Sequence, residues 1–238
     1  MNSLDTLNVK IFADGADRDG MREMYSKPYI QGFTTNPTLM KKAGITDYKA
    51  FAQEILQAIP DRPISFEVFA DEFSDMEHQA LEINSWGENV YVKIPVSNTR
   101  QEMAYELIER LSGADVHLNV TAIMTLEQVQ HVAEALKNGP ESIVSVFAGR
   151  IADTGLDPVP IMQEALIMLD VAPKAELLWA SPREVLNIYQ ADRIGCHIIT
   201  ATNDLIRKLA LGGKDLTEYS LETVQMFYND AQRVGYTL

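Results

Sequence analysis

Residues 89–97 read NVYVKIPVS, a short apolar run of the kind that forms a buried strand, with Lys93 in its middle between Val92 and Ile94. Two readings of that lysine are open on the strand context alone. It can lie inside, where burial disfavours the ammonium relative to a free amine able to attack a carbonyl and form a Schiff base. It can also sit at a strand end and reach solvent along its own methylene stem. Pro95 and Val96 keep the surroundings apolar.

Seven further apolar, β-rich runs accompany this one: NVKIFA (8–13), IQGFTT (30–35), ISFEVFA (64–70), VHLNVTAI (116–123), SIVSVFA (142–148), AELLWAS (175–181) and CHIITAT (196–202). A segment capable of helix formation follows each, the clearest being 47–59, 75–86, 100–111, 125–136, 159–169 and 183–194, whose apolar residues recur at helical spacing. Asn36-Pro37, Thr125, Asp157-Pro158 and Ser181-Pro182 read as helix starts, and Gly87, Gly113, Gly139, Gly195 and Gly212 as left-handed helix ends.

Strand and helix alternating eight times predict a single α/β domain over residues 1–238, a (β/α)8 barrel, with residues 215–238 as a C-terminal helical tail. That tail either closes the barrel base or packs against a neighbouring subunit. A doubly wound open sheet would want a glycine-rich turn after its first strand, and FADGADRDG lacks that spacing.

Composition narrows the class. With 238 residues, a net charge of −14 and 46% hydrophobic residues, the chain has material for a sizeable core and no basic stripe for nucleic acid. No apolar run approaches the length that crosses a bilayer, and no leader is visible. Cys196 is the lone cysteine, which suits a reducing cytoplasm. His78, His117, His131 and His197 show no metal-binding spacing, so no metal is expected.

In such a barrel, chemistry gathers at the C-terminal ends of the strands. The residues there are Asp14; Thr34, Thr35 and Asn36; Glu67; Lys93; Asn119 and Thr121; Ser145 with Arg150; Ser181 with Arg183; and Thr200, Thr202 and Asn203. Two carboxylates beside an amine suit the proton transfers of a Schiff-base aldol reaction. Glu67 also reads as a mere ion-pair partner of Lys93, and Asp14, taken alone, reads first as a helix N-cap. Arg150 and Arg183, each following a strand on one barrel face, make a phosphate pocket credible.

The motifs FADGAD, GFTTNPTL, FEVFA, VYVKIPV, LNVTAI, VSVFAGRI and WASPR, in this order, resemble the strand-end motifs of the transaldolase family from about Asn8 to Gly213, closest to its small subfamily, which includes fructose-6-phosphate aldolases. The resemblance implies Lys93 as the Schiff-base lysine, Asp14 as the acid/base at the cleaved carbon–carbon bond, and Glu67 with Thr121 holding a water. It implies Asn36, Asn119, Ser145 and Phe147 as substrate contacts, and Arg150, Ser181 and Arg183 as phosphate ligands. Glutamate at 67 and phenylalanine at 147 match transaldolases, whereas the aldolases carry glutamine and tyrosine. The implied reaction moves a dihydroxyacetone unit from fructose 6-phosphate or sedoheptulose 7-phosphate to an aldose phosphate, in the pentose phosphate pathway, with no cofactor and from a homo-oligomer. The alternatives are aldol cleavage releasing dihydroxyacetone, or transfer on a modified, for example sulfonated, sugar. VFAGR and ASPR depart from the family's usual residues around the phosphate and acceptor pockets.

Overall fold

The computed structural model describes residues 7–237. Eight parallel strands close on themselves in sequence order: β1 (Lys10–Asp14), β2 (Ile30–Thr34), β3 (Ile64–Glu67), β4 (Val90–Pro95), β5 (Leu118–Ile123), β6 (Ser142–Val146), β7 (Ala175–Trp179) and β8 (Ile198–Thr202), which pairs back onto β1. Each expected apolar run holds one of them, with β1 running one residue past its run to Asp14. The helices are α1 (Arg18–Tyr25), α2 (Pro37–Lys42), α3 (Tyr48–Ala58), α4 (Phe73–Asn84), α5 (Tyr105–Gly113), α6 (Leu126–Leu136), α7 (Ala148–Asp153), α8 (Pro158–Met168), α9 (Leu186–Arg193), α10 (Asn203–Arg207) and α11 (Leu216–Val234). The molecule is therefore the (β/α)8 barrel expected, with an additional C-terminal helix.

The strand period of two sorts the side chains. Phe33, Phe66, Val92, Val120, Val144, Leu177, Trp179 and Ile199 belong to the large core between sheet and helices. Phe12, Ile143, Leu178 and Ile198 plug the lumen, with Tyr91 and Phe147 packed against them. Gly32 is required by that plug, because a Cβ there would fall 2.5 Å from Cζ of Phe12. The polar residues one step further along the same strands stand above this apolar floor.

Local chemistry explains where helices begin. Asn36, Asp47, Thr125 and Asp157 accept hydrogen bonds from the first-turn amides of α2, α3, α6 and α8, and Thr125 with Gln128 completes a capping box. The cap of α1 is Asp17, not Asp14, which frees Asp14 from the role its local sequence suggests.

Several expected boundaries are corrected. The helix anticipated from residue 100 begins at Tyr105, because residues 97–103 form a tight turn. Gln101 in that turn has φ 63°, and the Asn98 side chain accepts from the Arg100 and Glu102 amides. Ser181-Pro182 does not start a helix: Ser181 has φ 57° and α9 begins at Leu186. Of the five glycines expected as left-handed helix ends only Gly195 has positive φ; Asp115 makes that turn after α5, and Gly213, not Gly212, near the start of the tail.

The tail does not close the barrel base: α11 has no buried residue. Among the described residues no helix is long and apolar enough to cross a membrane.

Candidate active site

Parallel register builds the centre of the site. Glu67 on β3 pairs with Lys93 on β4, and Lys93 with Asn119 on β5, so three polar side chains enter the lumen side by side. Lys93 is 7% exposed, which decides between its two readings: the amine is inside. Its Nζ lies 3.1 Å from Oε2 of Glu67 and donates to the Thr35 carbonyl oxygen at 3.2 Å. An ammonium so enclosed needs both partners to offset lost hydration.

Asp14 ends β1 on the same floor. Burial pushes its carboxyl above the ordinary carboxylate range, against the opposing pull of the Lys93 charge and of the Thr34 hydroxyl. Thr34 Oγ1 donates to Asp14 Oδ1 at 2.8 Å and lies 2.5 Å from Thr200 Oγ1. A hydroxyl has one proton, so Thr200 must donate to Thr34, and the relay runs Thr200 to Thr34 to Asp14.

A second chain fixes the opposite wall. Ser145 Oγ donates to Asn119 Oδ1 at 2.6 Å, and Asn119 Nδ2 donates to Ser65 Oγ at 2.9 Å. Asn119 is fully buried beneath the cavity and holds Ser145, rather than lining the space itself. Thr121 does line it, and its buried Oγ1 makes no hydrogen bond among the described residues. Ala122, next along, has φ 62°, and the β5–β6 register shifts between Val120 and Ile123.

These side chains enclose a cavity of about 470 Å³ that takes in Asp14, Asn36, Glu67, Lys93, Thr121, Ser145, Phe147, Arg150 and Ser181. Arg150 lies over the Phe147 ring, 5.5 Å from its centroid, at the rim. Arg183 does not line the cavity. Its guanidinium forks onto Asp153, with Nε 2.9 Å from Oδ1, and that pairing lowers the Asp153 pKa. Gly149 lets the first turn of α7 meet the Ser181 turn here: a Cβ on it would fall 1.5 Å from the Ser181 carbonyl oxygen.

Nine of the eleven nominated residues thus line one cavity; Asn119 supports it from below and Arg183 stands outside it. Thr34 and Thr200 belong to the site but were not singled out as site residues. The available signal was position: each is a lumen-facing hydroxyl at the end of its strand.

A family model described as "Transaldolase/Fructose-6-phosphate aldolase" matches residues 11–238. The chain belongs to the transaldolase/fructose-6-phosphate aldolase family. Curated relatives in this family include a "Probable transaldolase" of Dehalococcoides mccartyi, 31% identical over 202 residues, covering 84% of this chain and 90% of that protein. Others of the same description are from Thermoanaerobacter sp., 31% identical over 228 residues and covering 95% and 99%, and Methanococcus maripaludis, 33% identical over 202 residues and covering 84% and 89%. Solved structures show the shared barrel at low identity. A monomeric dihydrodipicolinate synthase variant superposes with TM-score 0.62 at 9% identity over 95% of this chain and 80% of that one. A putative phosphonomutase from Burkholderia cenocepacia gives 0.58 at 12% over 93% and 94%. The family makes this chain an aldolase-type enzyme, and its motifs coincide with the strand ends that form the cavity.

Other reactive groups lie apart from this site. Cys196 is buried with its thiol pushed up to about 12, mainly by burial, so it is inert as a nucleophile. Among the described residues no cluster of His, Cys, Asp and Glu could hold a metal ion.

Proposed function

We propose that this protein is a transaldolase, transferring a dihydroxyacetone unit from a ketose phosphate, fructose 6-phosphate or sedoheptulose 7-phosphate, to an aldose phosphate through a Schiff base on Lys93. The observation that carries the reading is the enclosed amine of Lys93, 3.1 Å from one carboxylate and electrostatically coupled to a second.

Glu67 stands where it can receive a proton from Lys93 directly or through a water. The freed amine attacks the C2 carbonyl of the ketose, the carbinolamine loses water, and a protonated imine forms. In this reading Thr121, whose hydroxyl makes no hydrogen bond among the described residues and which lines the same cavity as Glu67, helps to hold that water. Asp14 takes the proton of the C4 hydroxyl, the C3–C4 bond breaks with its electron pair passing into the imine, and an aldose phosphate leaves. The enamine that remains is held by Asn36 and Ser145, the latter oriented by Asn119. It adds to the incoming aldehyde, Asp14 returns the proton to the new hydroxyl, and water releases the product. The protonated imine is the electron sink, so the cycle uses no cofactor.

Arg150 and Ser181 at the rim are the phosphate ligands of this reading, supported by the Gly149 contact that brings α7 against the Ser181 turn. Arg183, tied to Asp153, acts at longer range. Glu67 and Phe147, where the aldolase branch has glutamine and tyrosine, favour transfer over release of free dihydroxyacetone. The same reading puts the enzyme in the cytoplasm, in the pentose phosphate pathway.

The test is a transfer assay across ketose and aldose phosphates. A transaldolase produces the new ketose only when an acceptor aldehyde is present and releases little dihydroxyacetone without one. Steady release of dihydroxyacetone from fructose 6-phosphate alone would favour the aldolase activity instead.

A further inference from the structure

Two threonine hydroxyls meet where the sheet closes on itself. β1 lies between β8 and β2, and the pairing sets Thr34 beside Asp14 and Thr200 beside Phe12, one period earlier on β1. Oγ1 of Thr200 and Oγ1 of Thr34 come within 2.5 Å of each other across β1. Both side chains are buried, at 6% and 2% exposure, and both line the cavity that holds Lys93. A buried hydroxyl commonly turns back to a backbone carbonyl, as Thr35 does to that of Ser65. Thr200 and Thr34 instead form a line that ends on the Asp14 carboxyl.

The charge at the end of the line fixes its direction. An ionised carboxylate only accepts, so Thr34 gives its proton to Asp14 and, having no second, accepts from Thr200. A hydrogen bond to a charged acceptor is stronger than a neutral one, and each donor in a chain polarises the next. The line therefore favours the ionised form of Asp14 over the protonated form.

The other groups around Asp14 leave that task open. Burial opposes its charge, and the Lys93 amine, which supports it, is shared with Glu67 at 3.1 Å. Asp14 also borders a second hollow, lined in part by Asp17, Lys42, Asp204 and Arg207. Asp17 caps α1, and Arg207 is paired with Glu23 and Asp204. Lys42 is exposed, where water and salt screen its charge. Among the described residues, Thr34 makes the only side-chain hydrogen bond to Asp14.

We propose that Thr200 is a positioning residue for Asp14: by donating to Thr34 it holds the Thr34 hydroxyl on the carboxylate and keeps that carboxylate charged in a dry site. Its place in the reaction rests on the reading of Asp14 as the base that takes the substrate hydroxyl proton. Thr200 acts through Thr34 and bonds to no other group among the described residues. Without its hydroxyl, Thr34 keeps one partner instead of two and is a less polarised donor.

The test is the titration of Asp14 in the full chain, followed by NMR with carboxyl-labelled aspartate and assigned by Asp14→Asn, alongside the pH profile of kcat/KM for ketose phosphate turnover. Thr200→Val exchanges the hydroxyl for a methyl of similar size, and Thr200→Ala serves if the valine variant does not fold. The expected result is an Asp14 midpoint raised by roughly half to one pH unit, the share of one neutral hydrogen bond, with the acid limb of kcat/KM moved up to match. Thr200→Ser keeps the hydroxyl and should return both readouts to native values, which a role of the threonine methyl in packing would not do. Thr34→Val should raise the midpoint at least as far, and Thr200→Val should add nothing to it. A midpoint unmoved by loss of the Thr200 hydroxyl would overturn the proposal. So would an equal shift in Thr200→Ser, or a full further shift when both threonines are replaced. A midpoint that moves while the acid limb stays in place would uphold the role of Thr200 and count against Asp14 as the base.

Discussion

The Lys93 amine sits 3.1 Å from the Glu67 carboxylate because β3 and β4 pair in a register that sets these two residues side by side. Both side chains are largely sequestered, at 8% and 18% exposure, so neither charge is well hydrated. Removing one partner strands the other. Glu67→Leu should therefore destabilise the fold by about 3 kcal/mol, whereas Glu67→Leu combined with Lys93→Met should return to within about 1 kcal/mol of the native protein. Urea melts of the two singles and the double measure the coupling, and equal, additive losses would show that the pair is not energetically linked.

Asp14 predicts a pH dependence. Its folded pKa is raised above the ordinary 3.8, chiefly by burial, so the folded protein holds this proton more tightly than the unfolded chain. The stabilisation from the protonated carboxyl is complete below the unfolded value and is lost as pH rises through the folded value. Asp14→Asn removes that loss. Its melting temperature relative to the native protein should climb as pH rises above the ordinary carboxylate value and through the raised folded value, and then level off, while activity disappears. A difference that stays flat with pH would mean that Asp14 is not buried as described.

The rim predicts a split between two arginines. Arg150→Met should raise KM for phosphorylated sugars by roughly 10- to 100-fold, the loss of a hydrogen bond to a charged group being worth about 1.5–3 kcal/mol. It should barely change turnover of an unphosphorylated ketose. Arg183→Met should have the smaller effect, because its guanidinium is already engaged by Asp153. Equal effects of the two variants would place both guanidinium groups on the phosphate.

Gly149 gives a steric prediction at the same rim. A Cβ there would overlap the Ser181 carbonyl oxygen at 1.5 Å, so Gly149→Ala must push the Ser181 loop away. The expected outcome is a raised KM for phosphorylated substrates and a stability loss of about 1–3 kcal/mol, read by kinetics and thermal melting. Native kinetics in this variant would mean that α7 and the Ser181 turn need not touch.

Much of this architecture was legible in the residues. Strand positions followed from apolar β-rich runs, whereas the neighbours of Lys93 in NVYVKIPVS left open whether its amine lies inside or reaches solvent, because that depends on what the neighbouring strands and loops place over the strand end. Asp14 was ambiguous locally, since ADGADRD offers Asp14 and Asp17 as caps, and only the fold shows Asp17 taking that role. Arg183 was read as a phosphate ligand, and its engagement by Asp153 was hidden, because that partner lies 30 residues away at the end of α7 and the pairing depends on how α7 meets the segment after β7. The Thr200–Thr34–Asp14 relay was hidden for the same reason: its members lie on strands that meet only when β8 closes onto β1. The late start of α5 was missed because Gln101 adopts a left-handed turn that no glycine announces.

The account rests on a covalent bond at one amine. Incubation with fructose 6-phosphate and sodium borohydride, followed by proteolysis and mass spectrometry, tests it most directly. The expected result is irreversible inactivation with a reduced sugar adduct on the peptide containing Lys93, absent from Lys93→Met. Full activity with unmodified Lys93 after that treatment, or an adduct on another lysine alone, would contradict it.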